Sequence, residues 1–335
     1  MVAAAVFGSS ALAGLLATGA VIPLAWRLGL IDQPNSRSSH QTVTPRGGGL
    51  GILVGLVVGT LVGRPAGGPV MLALGGGAAI LAVIGSIDDR HGLPASLRLL
   101  CHLGMGAILI SVTGPLDRLP LPAPWNIPLG VMARPLSVLW VAGVVNVYNF
   151  LDGIDGFAGL QGLVTSLAIA MAAWNRDASI AALALAGGCL GFLGWNWSPA
   201  RVFMGDLGSG AVGFLLAGLP FLAAPAERPA AVFVVALSLC FFLADATLTL
   251  GRRIARRERI WEAHREHCYQ RLVRRGYSHG LVAVAICTAA GLVTVLGVAW
   301  WQRRTPALAA AALVAAGSLF AIEAWVAAGR SGAAR

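Results

Sequence analysis

The stretch Val144–Gly159, VVNVYNFLDGIDGFAG, governs the reading of the whole chain. It opens in a run apolar enough for an embedded helix, then sets Asn146, Asn149, Asp152 and Asp155 close together and returns to apolar sequence at Phe157. Carboxylates beside a hydrocarbon core are costly unless something offsets them, so two membrane helices joined by a polar, working turn is the economical reading. Gly153 and Gly156 let the backbone turn sharply and come close to a ligand, while the two Asp offer hard oxygens suited to Mg²⁺ or to a hydroxyl-rich substrate. The Asp-Gly pairs alone would also permit simple caps on the next helix.

Composition sets the solvent for these helices. Of 335 residues, 57% are hydrophobic and 11% charged, with a mean hydropathy of +0.77; soluble domains carry roughly 25% charged residues. Apolar stretches near 3–26, 47–63, 69–87, 97–113, 134–150, 156–174, 179–197, 208–223, 230–250, 280–301 and 306–326 predict an all-α, polytopic membrane protein of about eleven transmembrane helices forming one domain over 1–335. The first run lacks a basic leader and is long, which fits a retained span better than a cleaved signal. Five scattered cysteines indicate neither disulfides nor zinc.

The net charge of +10 comes from 24 arginines with no lysine. They lie between apolar runs, where orientation and anionic lipid headgroups are the usual reasons, so nucleic acid is not expected as a partner. Arg64, Arg118, Arg134, Arg176, Arg228, Arg303 and Arg304 fall on one side of the predicted spans and the other arginines on the opposite side, nine of them between 252 and 275. The positive-inside rule then predicts the N-terminus outside and the C-terminus in the cytoplasm. Asp32, Asp88, Asp89, Asp152, Asp155 and Asp206 all fall on the cytoplasmic side as well, although that rule places no Asp.

Four further segments carry chemistry. WNWSPARVFMGDLGSG, Trp195–Gly210, sets Asp206 in a glycine-rich helix start whose amides could hold phosphate beside a metal-binding carboxylate; a plain N-cap is the simpler account. GSIDDRHG, Gly85–Gly92, carries Asp88 and Asp89, which point about 100° apart on a helix, so that one can ligate a metal while the other positions an acceptor; a solvated helix end is the alternative. DQPNSRSSHQTVTPRGGGLG, Asp32–Gly51, offers Arg37, His40 and Arg46 to phosphate, or as orientation signals. RRIARRERIWEAHREHCYQRLVRRGYSHG, Arg252–Gly280, places His264 and His267 on one helix face, as phosphate contacts or, alternatively, as metal ligands. Asp245, inside an apolar run, is accounted for by pairing with Arg252 two turns on.

Together the Pro45–Gly49 entry, the Asp88-Asp89 pair, Asn146–Gly156, Phe203–Ser209 and His264 with His267 resemble the polyprenyl-phosphate N-acetylhexosamine-1-phosphate transferase family, glycosyltransferase family 4, over Asp32–Leu272. The resemblance implies a multi-pass enzyme of the bacterial inner membrane that moves a HexNAc-1-phosphate from a UDP-linked donor to undecaprenyl phosphate, releases UMP, and uses Mg²⁺ or Mn²⁺. It implies Asp206 and Asp88 as metal ligands, Asp88 and Asp89 at the acceptor phosphate, and Asp152, Asp155, Asn149 and Asn196 lining the donor site, with Arg46, Asn146, His264 and His267 as substrate contacts. A homodimer is also implied. Two departures, His-Arg-Glu-His where many members have adjacent histidines and Ser38-Ser39 where many carry Lys, resemble the O-antigen-initiating branch more than the peptidoglycan enzyme. In-line attack by the lipid phosphate is the expected mechanism, with a covalent route through Asp89 or Asp152 chemically open. A transporter or flippase is the rival reading, and it would place its carboxylates near midmembrane.

Overall fold

The computed structural model describes residues 1–34, 42–258 and 265–328. Among them the chain forms thirteen α-helices: α1 (Val2–Leu28), α2 (Gly49–Gly63), α3 (Pro69–His91), α4 (Ala95–Thr113), α5 (Ala133–Phe150), α6 (Phe157–Ala172), α7 (Arg176–Asn196), α8 (Gly205–Gly218), α9 (Arg228–Ser238), α10 (Cys240–Ala255), α11 (Cys268–Arg274), α12 (His279–Arg303) and α13 (Pro306–Ala328). Eight spans are long and apolar enough to cross a membrane, the bent α9–α10 pair makes a ninth candidate, and α2 and α6 are shorter apolar helices. These account for the eleven apolar segments of the sequence, and the protein is a multi-pass membrane protein. The five cysteines are free.

Small residues let the helices approach. Gly51, Gly55, Gly59 and Gly63 recur every four residues along α2 and meet α1 and α7 so closely that a Cβ at Gly55 would stand 2.7 Å from the Ser10 carbonyl. With little hydrophobic drive between helices in lipid, such close backbone contact supplies the packing energy. A second group, α3, α4, α5 and α8, packs beside it, and α6, α9, α12 and α13 close the far side. There the side chains are larger: Trp174 meets Trp301 edge-on at 5.9 Å and Phe233 meets Trp300 at 5.0 Å.

The expected single span over 230–250 is broken. α9 and α10 meet at a 75° bend at Leu239, although the apolar run is continuous. The polar groups exposed by the bend find partners across the core: buried Gln161 Nε2 donates to the Ser238 carbonyl at 2.8 Å, and Ser238 Oγ donates to Thr165 Oγ1 at 2.9 Å. A bent backbone is tolerated at membrane depth when neighbouring helices satisfy it in this way. Two other elements go beyond the sequence reading. A two-residue antiparallel ladder pairs β1 (Ile31–Asp32) with β2 (Thr44–Pro45), and the short helix α11 lies in the arginine-rich loop.

Candidate active site

The ends of α3 and α5, the start of α8 and the turn after α5 converge at one end of the bundle. Backbone pairing brings two of the sequence motifs together. Phe203 N–H donates to the Pro45 carbonyl at 2.9 Å, Gly48 N–H returns a bond to Phe203 O, and Gly49 N–H one to Met204 O. The entry to α2 and the entry to α8 are thus one structural unit. The approach needs glycine: a Cβ on Gly49 would lie 2.2 Å from the Gly208 α-carbon.

Asp88 and Asp89 turn to different partners, as neighbours on a helix must. Asp89 accepts from the backbone N–H of Asp206 at 3.1 Å and of Leu207 at 3.2 Å. These are free donors of the first turn of α8, so Asp89 caps that helix from α3. Two glycines admit it: a Cβ at Gly205 would meet Asp89 Oδ2 at 2.6 Å, and one at Gly85 would meet Asp206 O at 2.3 Å. The amides expected to cradle a phosphate are therefore already engaged by Asp89.

Asp88 accepts from Leu93 N–H at 2.6 Å and from Arg98 Nη1 at 2.9 Å. The same Nη1 stands 3.5 Å from Asp206 Oδ2, and the Asp88 and Asp206 carboxylates lie within hydrogen-bonding reach of one another. Asp206 Oδ1 accepts from Asn149 Nδ2 at 3.0 Å, and Asn149 also reaches Ser209 Oγ at 3.1 Å. Asp206 keeps 31% of its side chain open, whereas Asp88 keeps 5%.

Arg46 bridges Asp32 at 2.8 Å and Asp89 at 3.7 Å. Burial alone would lower its pKa, but the bond it donates to Asp32, aided by the charge on Asp32 and Asp89, raises it above the ordinary arginine value. Asp155 accepts from Ala200 N–H at 3.2 Å and lies 3.3 Å from His279 Nδ1. Burial pushes its carboxyl up, and the His279 contact, with the Ala200 amide and Ser198, outweighs that and holds it below the usual value. Among the described residues Asp152 has no such partner. Part of its surface is open, yet the dense protein around it and the charge on Asp89 push its pKa up to about 7.

The remaining predicted residues are placed as follows. Asn196 is buried and spent on structure, its Oδ1 accepting from Gly156 N–H and its Nδ2 donating to Val202 O, both at 2.9 Å. Asn146 donates back to Ala142 O within α5. His267 is buried, 3.3 Å from Asp245 through Nδ1. The expected Asp245–Arg252 pair gives way to this contact and to two bonds from the Cys268 N–H, because the chain folds α11 back onto α10. His264, with Arg37, Ser38, Ser39 and His40, lies outside the described residues.

Ser209 and His279, which lie in the motif segments but are not singled out by the sequence, and Arg98, which lies in none, also belong to the cluster. The available signal for Arg98 was its place just past the tight Gly92–Pro94 turn that follows two acids. Among the described residues no three His, Cys, Asp or Glu side chains group as a metal cage. Two carboxylates that share one arginine still suit Mg²⁺, which usually takes one or two protein carboxylates and fills its shell with water and substrate phosphate. The site sits at helix ends, away from the middle of the bundle where a transporter would need it.

Residues 71–224, which hold Asp88, Asp89, Asp152, Asp155 and Asp206, match glycosyl transferase family 4. The chain is 33% identical over 284 residues to the probable undecaprenyl-phosphate N-acetylglucosaminyl 1-phosphate transferase of Bacillus subtilis (strain 168), covering 83% of this chain and 79% of that protein. It is 31% identical over 358 residues to the decaprenyl-phosphate N-acetylglucosaminephosphotransferase of Mycobacterium tuberculosis (strain CDC 1551 / Oshkosh), covering 92% and 86%. Against the phospho-N-acetylmuramoyl-pentapeptide-transferase of Synechococcus sp. (strain JA-3-3Ab) the identity is 32% over 316 residues, covering 88% and 92%. The protein belongs to the polyprenyl-phosphate N-acetylhexosamine-1-phosphate transferase family.

Proposed function

We propose that this protein transfers N-acetylhexosamine 1-phosphate from a uridine diphosphate donor to undecaprenyl or a similar polyprenyl phosphate, releasing UMP, at the cytoplasmic face of a bacterial inner membrane. The observation that carries the reading is the convergence of Asp88 and Asp206 on Arg98, with Asp206 the more open of the two. The N-acetylglucosamine named for the Bacillus and Mycobacterium relatives favours that sugar type and surface-glycan synthesis over the peptidoglycan step. The arginine-rich side of the bundle supports the cytoplasmic assignment and an outside N-terminus.

Asp206 and Asp88 would hold Mg²⁺, which when bound would offset charge on the diphosphate as it breaks. Asn149 orients Asp206 through Oδ1, and Asp89 fixes the start of α8 so that Asp206 stays in register. Arg46 and Arg98 supply positive charge for two phosphate groups. The acceptor is a phosphate monoester, largely dianionic at neutral pH, so it needs placement and charge relief more than a base. An acceptor oxygen forms a bond to the sugar-linked phosphorus while the bond from that phosphorus to the bridging oxygen breaks, and the electron pair leaves with UMP.

The test is transfer of radiolabel from UDP-N-acetylglucosamine into butanol-extractable lipid, with Mg²⁺ or EDTA, in wild type and Asp206→Ala. The expected result is label that needs the metal, with a loss on the order of 10³-fold in the variant. Undiminished transfer by a well-folded Asp206→Ala would overturn the metal assignment. Absence of labelled lipid with any UDP-N-acetylhexosamine would overturn the donor.

A further inference from the structure

Asp245 is fully enclosed, at 0% exposure against 8% for Asp88 and 9% for Asp155. It sits in α10 just beyond the bend, and burying a carboxylate there is costly unless its oxygens are engaged. Both are engaged by the loop that returns over it. Cys268 N–H donates to Oδ1 at 2.8 Å and to Oδ2 at 3.0 Å, Thr249 Oγ1 donates to Oδ1 at 3.2 Å, and His267 Nδ1 lies 3.3 Å from Oδ1. Among the described residues, buried Glu323 of α13 and half-buried Arg252 also lie within electrostatic reach.

The next residue in the loop continues the connection. Tyr269 is fully buried, and its hydroxyl donates to the Phe150 carbonyl at 3.2 Å. That hydroxyl rests on Gly153, where a Cβ would stand 2.1 Å from it. Its ring packs against Phe157 at 5.3 Å and stacks on His267 at 5.8 Å. A continuous line of contact therefore runs from Asp245 through 267–269 to the turn that carries Asp152 and Asp155.

We infer that Asp245 is a positioning residue for the donor half of the site. It fixes His267 and the start of α11, and through Tyr269 it holds the arginine-rich loop and the Asp152–Asp155 turn as one unit. The loop's own charges pair locally, Arg253 and Arg256 with Glu258 and Glu266 and Arg271 with Glu266, while the buried Asp245 beneath it gives it a fixed point on the bundle. The inference rests on the reading, implied by the family resemblance, that the Asp152–Asp155 turn lines the donor site and that His267 is a contact to that substrate.

The experiment compares Asp245→Asn, Tyr269→Phe, His267→Ala and the Asp245→Asn/His267→Ala double variant in purified full-length protein, by KM for UDP-N-acetylglucosamine and for polyprenyl phosphate, and by hydrogen exchange. Asp245→Asn should raise the donor KM by on the order of 10-fold, leave the acceptor KM within about 2-fold, and add little in the His267→Ala background. Tyr269→Phe should move the donor KM in the same direction by less. Asp245→Asn should also speed exchange in 150–157 and 265–275 together, with α7 and α8 unchanged. Unchanged exchange in those two segments, or faster exchange throughout the bundle, overturns the positioning role. Exchange that behaves as expected while His267→Ala leaves the donor KM unaltered keeps the linkage and instead overturns the donor reading on which its function rests.

Discussion

The paired carboxylates Asp88 and Asp206 and the lone carboxylate Asp245 are used in opposite ways in this bundle. At the acid end, Asp88 and Asp206 crowd together around one guanidinium, and Asp206 keeps part of its surface open. In α10, Asp245 is completely enclosed and its oxygens are occupied by a backbone amide, a hydroxyl and an imidazole. The first arrangement sets two carboxylates on one cation and leaves Asp206 reachable, which suits a metal and phosphate substrates. The second leaves nothing to bind and serves as an anchor. Asp89 shows that the two uses can sit side by side: it is adjacent to Asp88, yet caps the first turn of α8.

The contrast is most exposed at Arg98. Arg98→Gln should lower kcat/KM for transfer by about 10–100-fold, as removing a partner that orients metal-binding carboxylates commonly does; an unaltered rate in the label-transfer assay would mean that Asp88 and Asp206 do not depend on a shared cation. A smaller effect is expected at Asp152, whose pKa is raised from 3.8 to about 7. A carboxyl held up by the fold costs no stability while protonated in both folded and unfolded chains; the cost appears as pH rises above the ordinary carboxylate range and is complete above about pH 7. Asp152→Asn should therefore gain in Tm relative to wild type between about pH 4 and pH 7, and a difference that stays flat over that interval would place Asp152 with the anchored carboxylates. The smallest effect belongs to the anchor itself. Thr249→Val removes one of several bonds to Asp245 and should cost about 0.5–1.5 kcal/mol, read as a modest fall in Tm in detergent with the transfer rate retained; a loss of activity beyond that would show that Asp245 has little margin.

Much of this was legible before any coordinates. A span needs about 20 apolar residues, so hydropathy marks each crossing, and a carboxylate at the end of such a run is expensive enough to be noticed. The same logic failed within 230–250, where Leu239 looks like its neighbours and the bend is permitted by Gln161 on another helix. It failed at Asp245 too: an arginine seven residues away is the natural partner along one helix, while the real ones, His267 and the Cys268 amide, arrive from over twenty residues further on.

By itself, then, the sequence determined the solvent, the count of apolar segments and the set of acids gathered at one end of the bundle, because these follow from local hydrophobicity and from the cost of charge in lipid. Only the tertiary structure decided which acid does what. Asp88 and Asp206 share Arg98, Asp89 caps α8, Asn196 ties Gly156 to Val202 and Asp245 holds α11, because each of those partners lies on a different stretch of chain and a side chain's chemistry is set by what is folded against it.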